Sequence, residues 1–277
     1  MKTRLLIISA ASVLMLQACG GGGGDNSSNP LPSNTTTPPG NTATPPTGGN
    51  GADQGSVSAS FVPSNTSRYI LLNPLGQTSG ALTSNQQAAD GAITALNSNQ
   101  LSGTYAIQDI AGDASFAIGR WVQGTVTTST GADTLTGTDG RAYHYIAYQA
   151  LSAFPSNSLH CVGGSFTTPT YTSGGSKAAL TGAATGTADI SFSGGQGALT
   201  GSVTVNANGE TATQALPSTL SSPSSMSLTG LGTNIPYTGA QLADAGNGAY
   251  ALAVQFAAVT PSGARYIGVG RLSCTSN

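Results

Sequence analysis

TADISFSGGQGALTGSVTV, residues 187–205, decides the fold class. Thr187 to Phe192 alternates polar and apolar side chains, Ser193 to Gly197 is a glycine-rich turn, and Ala198 to Val205 alternates again. That is the pattern of an antiparallel hairpin with one wet and one buried face. The same reading extends outward. Asn208-Gly209 makes the next tight turn and Thr211 to Leu216 returns from it. Ala249 to Val259 places Tyr250, Leu252, Val254 and Phe256 on one face, and Pro261-Ser262-Gly263-Ala264 turns the chain into Arg265 to Cys274. Upstream lie Leu159 to Phe166, Arg141 to Leu151 (RAYHYIAYQAL) and Ala114 to Thr127 (ASFAIGRWVQGTVT), where Phe116, Ile118, Val122 and Val126 read as one face interrupted by Arg120. These eight segments predict an all-β, soluble, eight-stranded antiparallel barrel in mostly up-and-down order, a number at which side chains fill the interior.

Composition supports strands over helices. The chain has a single Glu, Glu210, and only Lys2 and Lys177 as lysines, so the residues that stabilise surface helices are scarce. Charged residues are 6% of the chain against a typical ~25%, leaving hydroxyls, amides and glycine to cover the surface. A transmembrane barrel would need apolar outer bands with aromatic girdles, whereas these strands carry Ser, Thr, Gln or Asp on one face.

Residues 57–112 predict a small mixed subdomain ahead of a barrel at 113–277. It holds short strands near Val57 to Val62, Tyr69 to Leu72 and Tyr105 to Ile110. A helix is expected between them, with Ser84 and Gln87 as a capping box and Ala88, Ala89, Ala92, Ile93 and Leu96 on one face, weakened by Gly91.

The N-terminus is a targeting signal. Lys2 and Arg4 precede an apolar run from Leu5 to Leu16, too short for the ~20 residues a bilayer-spanning helix needs. Leu16-Gln17-Ala18-Cys19 resembles a lipobox, which implies a signal peptide at residues 1–18 and lipid on Cys19. Gly20 at the next position resembles lipoproteins sorted to the outer membrane. Residues 20–56 are almost wholly Gly, Asn, Ser, Thr and Pro, too apolar-poor to offset their chain entropy, and so predict a disordered tether. Without Lys2 and Arg4, six basic face ten acidic residues and no basic run exists, which argues against nucleic-acid binding.

With Cys19 lipidated, Cys161 and Cys274 remain as a pair for a disulfide in an oxidising compartment, the alternative being two buried thiols.

The Cys-polyglycine start, ADISFSGGQGALTGSVT and FAAVTPSGARYIGVGRL together resemble the barrel domain of the transferrin-binding protein B-like surface lipoproteins, over residues 114–273. The resemblance implies a non-enzymatic lipoprotein that binds a host protein, haem or a small solute. The low charge and the ending YIGVGRL depart from that family's pattern.

Motifs for catalysis are missing from the sequence. His144 and His160 sit in neither an HExxH nor a zinc spacing, and no GxSxG, Walker A or useful GxGxxG occurs. Asp133 and Asp139 share a turn-rich loop open to calcium or to plain solvation. The partner-contact candidates are aromatic: in Arg141 to Leu151, Tyr143 and Tyr145 face one way and His144, Ile146 and Tyr148 the other, so one set points away from the barrel interior. Trp121 lies opposite Phe116 and Ile118, where Gly119 leaves room for something to approach. The outward set needs either the 57–112 subdomain or a partner as cover; His144 or a nearby tyrosine is the haem-ligand candidate. Two roles follow: a binding lipoprotein, or a structural or protective envelope protein without a small ligand.

Overall fold

The alternating segments become antiparallel strands in a computed structural model that describes residues 57–175, 179–230 and 238–277, all in one compact unit. Among the described residues there is no helix. The expected signal peptide, the lipidation candidate Cys19 and the expected tether lie outside them.

The first sheet is built from β1 (Ser67–Asn73), β2 (Gly76–Ala81), β3 (Asn85–Gln87), β4 (Ile93–Leu96), β5 (Asn99–Asp113), β6 (Phe116–Thr128), β7 (Gly131–Thr136) and β8 (Tyr143–Ala150). Its lateral order is β2-β1-β8-β6-β5-β4-β3, with β7 beside the far half of β6. The second is built from β9 (Leu159–Phe166), β10 (Thr170–Ser173), β11 (Ala183–Ser193), β12 (Gln196–Ala207), β13 (Glu210–Ala215), β14 (Thr219–Leu220), β15 (Ser227–Thr229), β16 (Thr238–Asp244), β17 (Tyr250–Val259) and β18 (Arg265–Ser276). Here β15-β16-β17-β18 runs into β9 and β10, then β11 and β12, with β13 and β14 both against β12. Ala243 and Asp244 of β16 pair with Ala150 and Gln149 of β8, which joins the two ladders.

Several expectations are corrected. The second sheet does not close: β9 pairs with β18, as first and last strands of an up-and-down barrel do, but no pairing bridges β14 and β15 among the described residues. The segments at 114–127 and 141–151 are not barrel staves; they are β6 and β8 of the first sheet, and the expected boundary at 112/113 falls at the tip of the β5–β6 hairpin. β16, with TGAQLAD buried at six of seven positions, takes a place that the Ser- and Thr-rich sequence concealed.

The expected helix at 84–96 is the β3–β4 hairpin. Asp90-Gly91 is a turn dipeptide, Gly91 adopts φ +84°, and a side chain there would meet Val57 Cγ1 at 2.5 Å. Asn97, at φ 53°, turns the chain back into β5, and its Oδ1 accepts the Thr83 and Ser84 amides at 2.8 and 3.1 Å. Along β6, Phe116 and Ile118 share a face, but Val126 joins Trp121 on the other, because Gly124 at φ +117° shifts the alternation by one residue.

Three cores result. Leu199, Val203, Val205, Leu252, Val254 and Phe256 form the core of the second sheet. Ile70, Leu72, Ile118, Ile146 and Tyr148 meet Ala251, Ala253, Ile267 and Val269 between the sheets. Trp121, Tyr143, Tyr145, Tyr69 and Leu71 pack beneath Phe61, Ile93 and Leu96 on the far side of the first sheet. Glycine lets rings lie flat across strands: Tyr145 covers its neighbour Gly119, Phe256 covers Gly268, and Phe166 covers Gly270.

Cys161 and Cys274 face each other across β9 and β18 and form a disulfide, 113 residues apart in sequence.

Candidate functional site

Strand β9 starts as a partner of β11, with Leu159 to Val162 opposite Ile190 to Thr187. It then leaves. Gly163 and Gly164 adopt φ +68° and +104°, and the pairing of β9 with β18 shifts register there, which is a bulge that bends the strand. A side chain on Gly164 would overlap the Arg271 carbonyl, so this bend depends on glycine. The two chains meet again at Thr170 and Thr181. Between the two meeting points the ladder is open.

That opening is a cavity of about 590 Å³. Its walls are two unbroken runs, 162–168 and 182–187, with Asp109 and Ala111 of β5 and Ser202 and Thr204 of β12 alongside. Consecutive strand residues point to opposite faces, so an unbroken run can line a cavity only where the cavity lies along the strand edge. It is therefore a slot between two strand edges. Ala183 to Gly186 pair with β12 on one side alone, so alternate main-chain N–H and C=O groups of that run are aimed at the slot.

Two hydrogen-bond clusters hold the β9 wall away from β11. Asp109 sits at φ 55° in an irregular part of β5; its carboxylate accepts the Thr168 amide at 2.8 Å and the Thr168 hydroxyl at 3.0 Å. The Arg120 Nε donates to the same carboxylate at 2.8 Å, and its other arm to Gln108 Oε1 at 2.9 Å. Arg120 is buried, and a buried cation is tolerable only with such partners. Next to it, the fully buried Thr167 hydroxyl donates to Val269 O at 3.2 Å and accepts the Val269 amide at 3.1 Å. With its one hydrogen so used, Thr167 accepts from His144 Nδ1 at 2.8 Å, which assigns the hydrogen to Nδ1 and leaves Nε2 without a partner. Burial, reinforced by the Arg120 charge, holds the imidazole pKa well below its usual range, so His144 is neutral.

The five aromatic contact candidates are not on the surface. Trp121 and Tyr145 are fully enclosed, and both grip Ile93: Trp121 Nε1 donates to its carbonyl at 2.7 Å, and its amide donates to the Tyr145 hydroxyl at 3.0 Å. What enters the space at Gly119 is Tyr145. The Tyr143 hydroxyl reaches Asp133 at 3.3 Å, and burial together with that carboxylate pushes its pKa up to about 12. Tyr148 donates to Gln241 Oε1 at 2.6 Å, and burial raises its pKa as well. The expectation of a contact surface at Trp121, Tyr143, His144, Tyr145 and Tyr148 is thus overturned, because β8 is covered on both faces. Alternation separates two faces but does not say that either is wet. Asp133 is held by Arg141 at 2.6 Å, and Asp139 accepts the Arg141 amide.

Asp109, Thr167 and Thr168 were not singled out by the sequence; the adjacent glycines 163 and 164 inside a strand were the available signal. Comparison with known proteins gives no match: neither a family model, nor a curated protein, nor a solved structure resembles the chain.

Proposed function

We propose that this chain is a lipid-anchored, non-enzymatic binding protein of the bacterial outer membrane that takes an extended polar ligand into the slot between β9 and β11. The slot carries the reading: a 590 Å³ opening with two strand edges for walls suits a ligand that supplies its own amide-like donors and acceptors. The lipobox at Leu16 to Cys19 and the polar tether support anchoring and display. His144 is locked inside by Thr167, where no substrate reaches it. A haem reading loses its ligands, since His144 and the tyrosines lie in the cores.

The experiment is ligand capture from envelope extracts and growth medium by the soluble chain, read by mass spectrometry, against the variant Thr185→Trp. Thr185 is exposed at the slot, so the bulky ring obstructs it without touching a core. A ligand retained by the wild type and lost by the variant supports the proposal; equal capture refutes it.

A structural or protective role draws on a different observation. Thr185, Thr204 and Thr213 form a row across β11, β12 and β13, part of an outer face made of small hydroxyl side chains. If neither protein captures anything and loss of the chain weakens the envelope, that role replaces the first.

A further inference from the structure

Among the described residues, Arg68 is a cation without a carboxylate partner. It lies on β1 opposite Tyr148 of β8 and Ala81 of β2, on the face that carries Ile70 and Leu72 into the core between the sheets. The side chain is half-buried, and its Nε is shielded from solvent with no hydrogen-bond partner. Among the described residues the ion pairs are Arg120 with Asp109, Arg141 with Asp133, and His160 with Asp189; no carboxylate pairs with Arg68. Leaving a guanidinium half out of water and unpaired is costly.

Arg68 lines a cavity of about 130 Å³, the room of roughly four water molecules. Ser79 and Gly80 of β2 and Tyr148 of β8 line it from the first sheet, and Ser224, Ser225 and Met226 of the β14–β15 connection line it with Gln241 of β16. No acidic side chain lines it. The one strong side-chain acceptor there, Gln241 Oε1, is already taken by the Tyr148 hydroxyl at 2.6 Å, while Gln241 Nε2 turns to the Pro223 carbonyl at 3.3 Å. Among its lining residues the donors are Arg68 and three serines, of which Ser224 also meets the Ser222 hydroxyl at 3.3 Å.

We propose that this cavity is an oxyanion-binding site, in which Arg68 holds a carboxylate, phosphate or sulfate group in a forked pair of hydrogen bonds and the serines take the remaining oxygens. The volume admits such a group. Because the walls come from both sheets, the bound anion fastens them together, and occupancy is read as stability.

The test is the melting temperature of the soluble chain in sodium phosphate, sulfate or acetate against sodium chloride at equal ionic strength, for the wild type and R68Q. At about ten times its dissociation constant, an oxyanion should raise the wild-type melting temperature by ~3–5 °C, along a saturable curve, and leave R68Q unmoved. In chloride alone, R68Q should equal or exceed the wild type, because it removes an unpaired half-buried charge. A preference for acetate identifies the site's ligand as a carboxylate, and a preference for phosphate or sulfate as a tetrahedral anion. The proposal is overturned if the wild-type rise is absent, or if R68Q shows the same rise, since sulfate and phosphate also stabilise proteins generally by exclusion from their surfaces. Should R68Q fail to fold, Ser225→Ala takes its place: it must weaken the saturable response, and an unchanged response overturns the site.

Discussion

Strands β8 and β12 use the same backbone geometry to opposite ends. On β8, the consecutive residues Tyr145 and Ile146 are both fully buried, one in the core under Ile93 and Leu96, the other in the core between the sheets. On β12, Leu199 is buried and its neighbour Thr200 is exposed. The difference lies in layering. β8 is the middle of three layers and β12 is the wall of one, so an aromatic on either face of β8 reports a core, while on β12 only the odd-numbered positions do.

The largest effects should therefore come in adjacent pairs on β8. Tyr145→Ala should cost about 3–5 kcal/mol and Ile146→Ala about 2–5 kcal/mol, measured by denaturant unfolding. If Ile146→Ala costs less than ~1 kcal/mol, the sheets do not pack on each other in solution and the three-layer account is wrong.

A smaller loss, about 1–3 kcal/mol, is expected for Thr167→Val, which strands the buried Nδ1–H of His144 and the Val269 N–H. Its second signature is local: hydrogen exchange should quicken across 163–168 and stay unchanged in the β3–β4 hairpin. Uniform quickening would deny Thr167 its place as the fastening of the slot wall.

The acid response sharpens the same contrast. The His144 pKa is lowered on folding, so above the unfolded value near 6.5 the buried neutral ring costs nothing extra, and below it the unfolded chain binds a proton that the folded chain refuses. The melting temperature should fall as pH drops from 7 through 6 to 5. His144→Gln should flatten that slope; a slope that survives the substitution belongs to other groups. At the small end, Thr200→Ala should change stability by no more than ~0.5 kcal/mol. A larger loss would mean that the outer face of β12 is covered.

The sequence announced strands best where one face is wet. The hairpin at 187–205 is legible because Gly194 and Gly195, at φ +57° and +76°, fit a two-residue turn and because Thr and Ser alternate with buried residues. The pairing of Cys161 with Cys274 followed from parity alone. Legibility failed where the period carried no contrast. β8 shows aromatics on both faces, and the alanines around Gly91 mimicked a helical stripe although Asp90-Gly91 is a turn. The slot was hidden for another reason: it is the absence of a pairing, fixed by Asp109 and Thr168, residues 59 apart in sequence. Arg68 was invisible because an unpaired charge is a property of its surroundings.

The union of β9 with β18 also has a consequence in time. The turns at Gly194-Gly195 and Asn208-Gly209 bring neighbouring strands together within a few residues, but the pairing of Leu159 to Phe166 with β18 must wait for a strand more than a hundred positions away. Long-range pairing of this kind slows folding and leaves strand edges open to other chains in the interval. The Cys161–Cys274 bond removes the wait, since it keeps both strands together even in the unfolded chain. Refolding from denaturant should accordingly be faster with the bond intact than after reduction, and the reduced chain should lose more material to aggregation as its concentration rises. Equal rates in the two states would place the slow step elsewhere in the sheet.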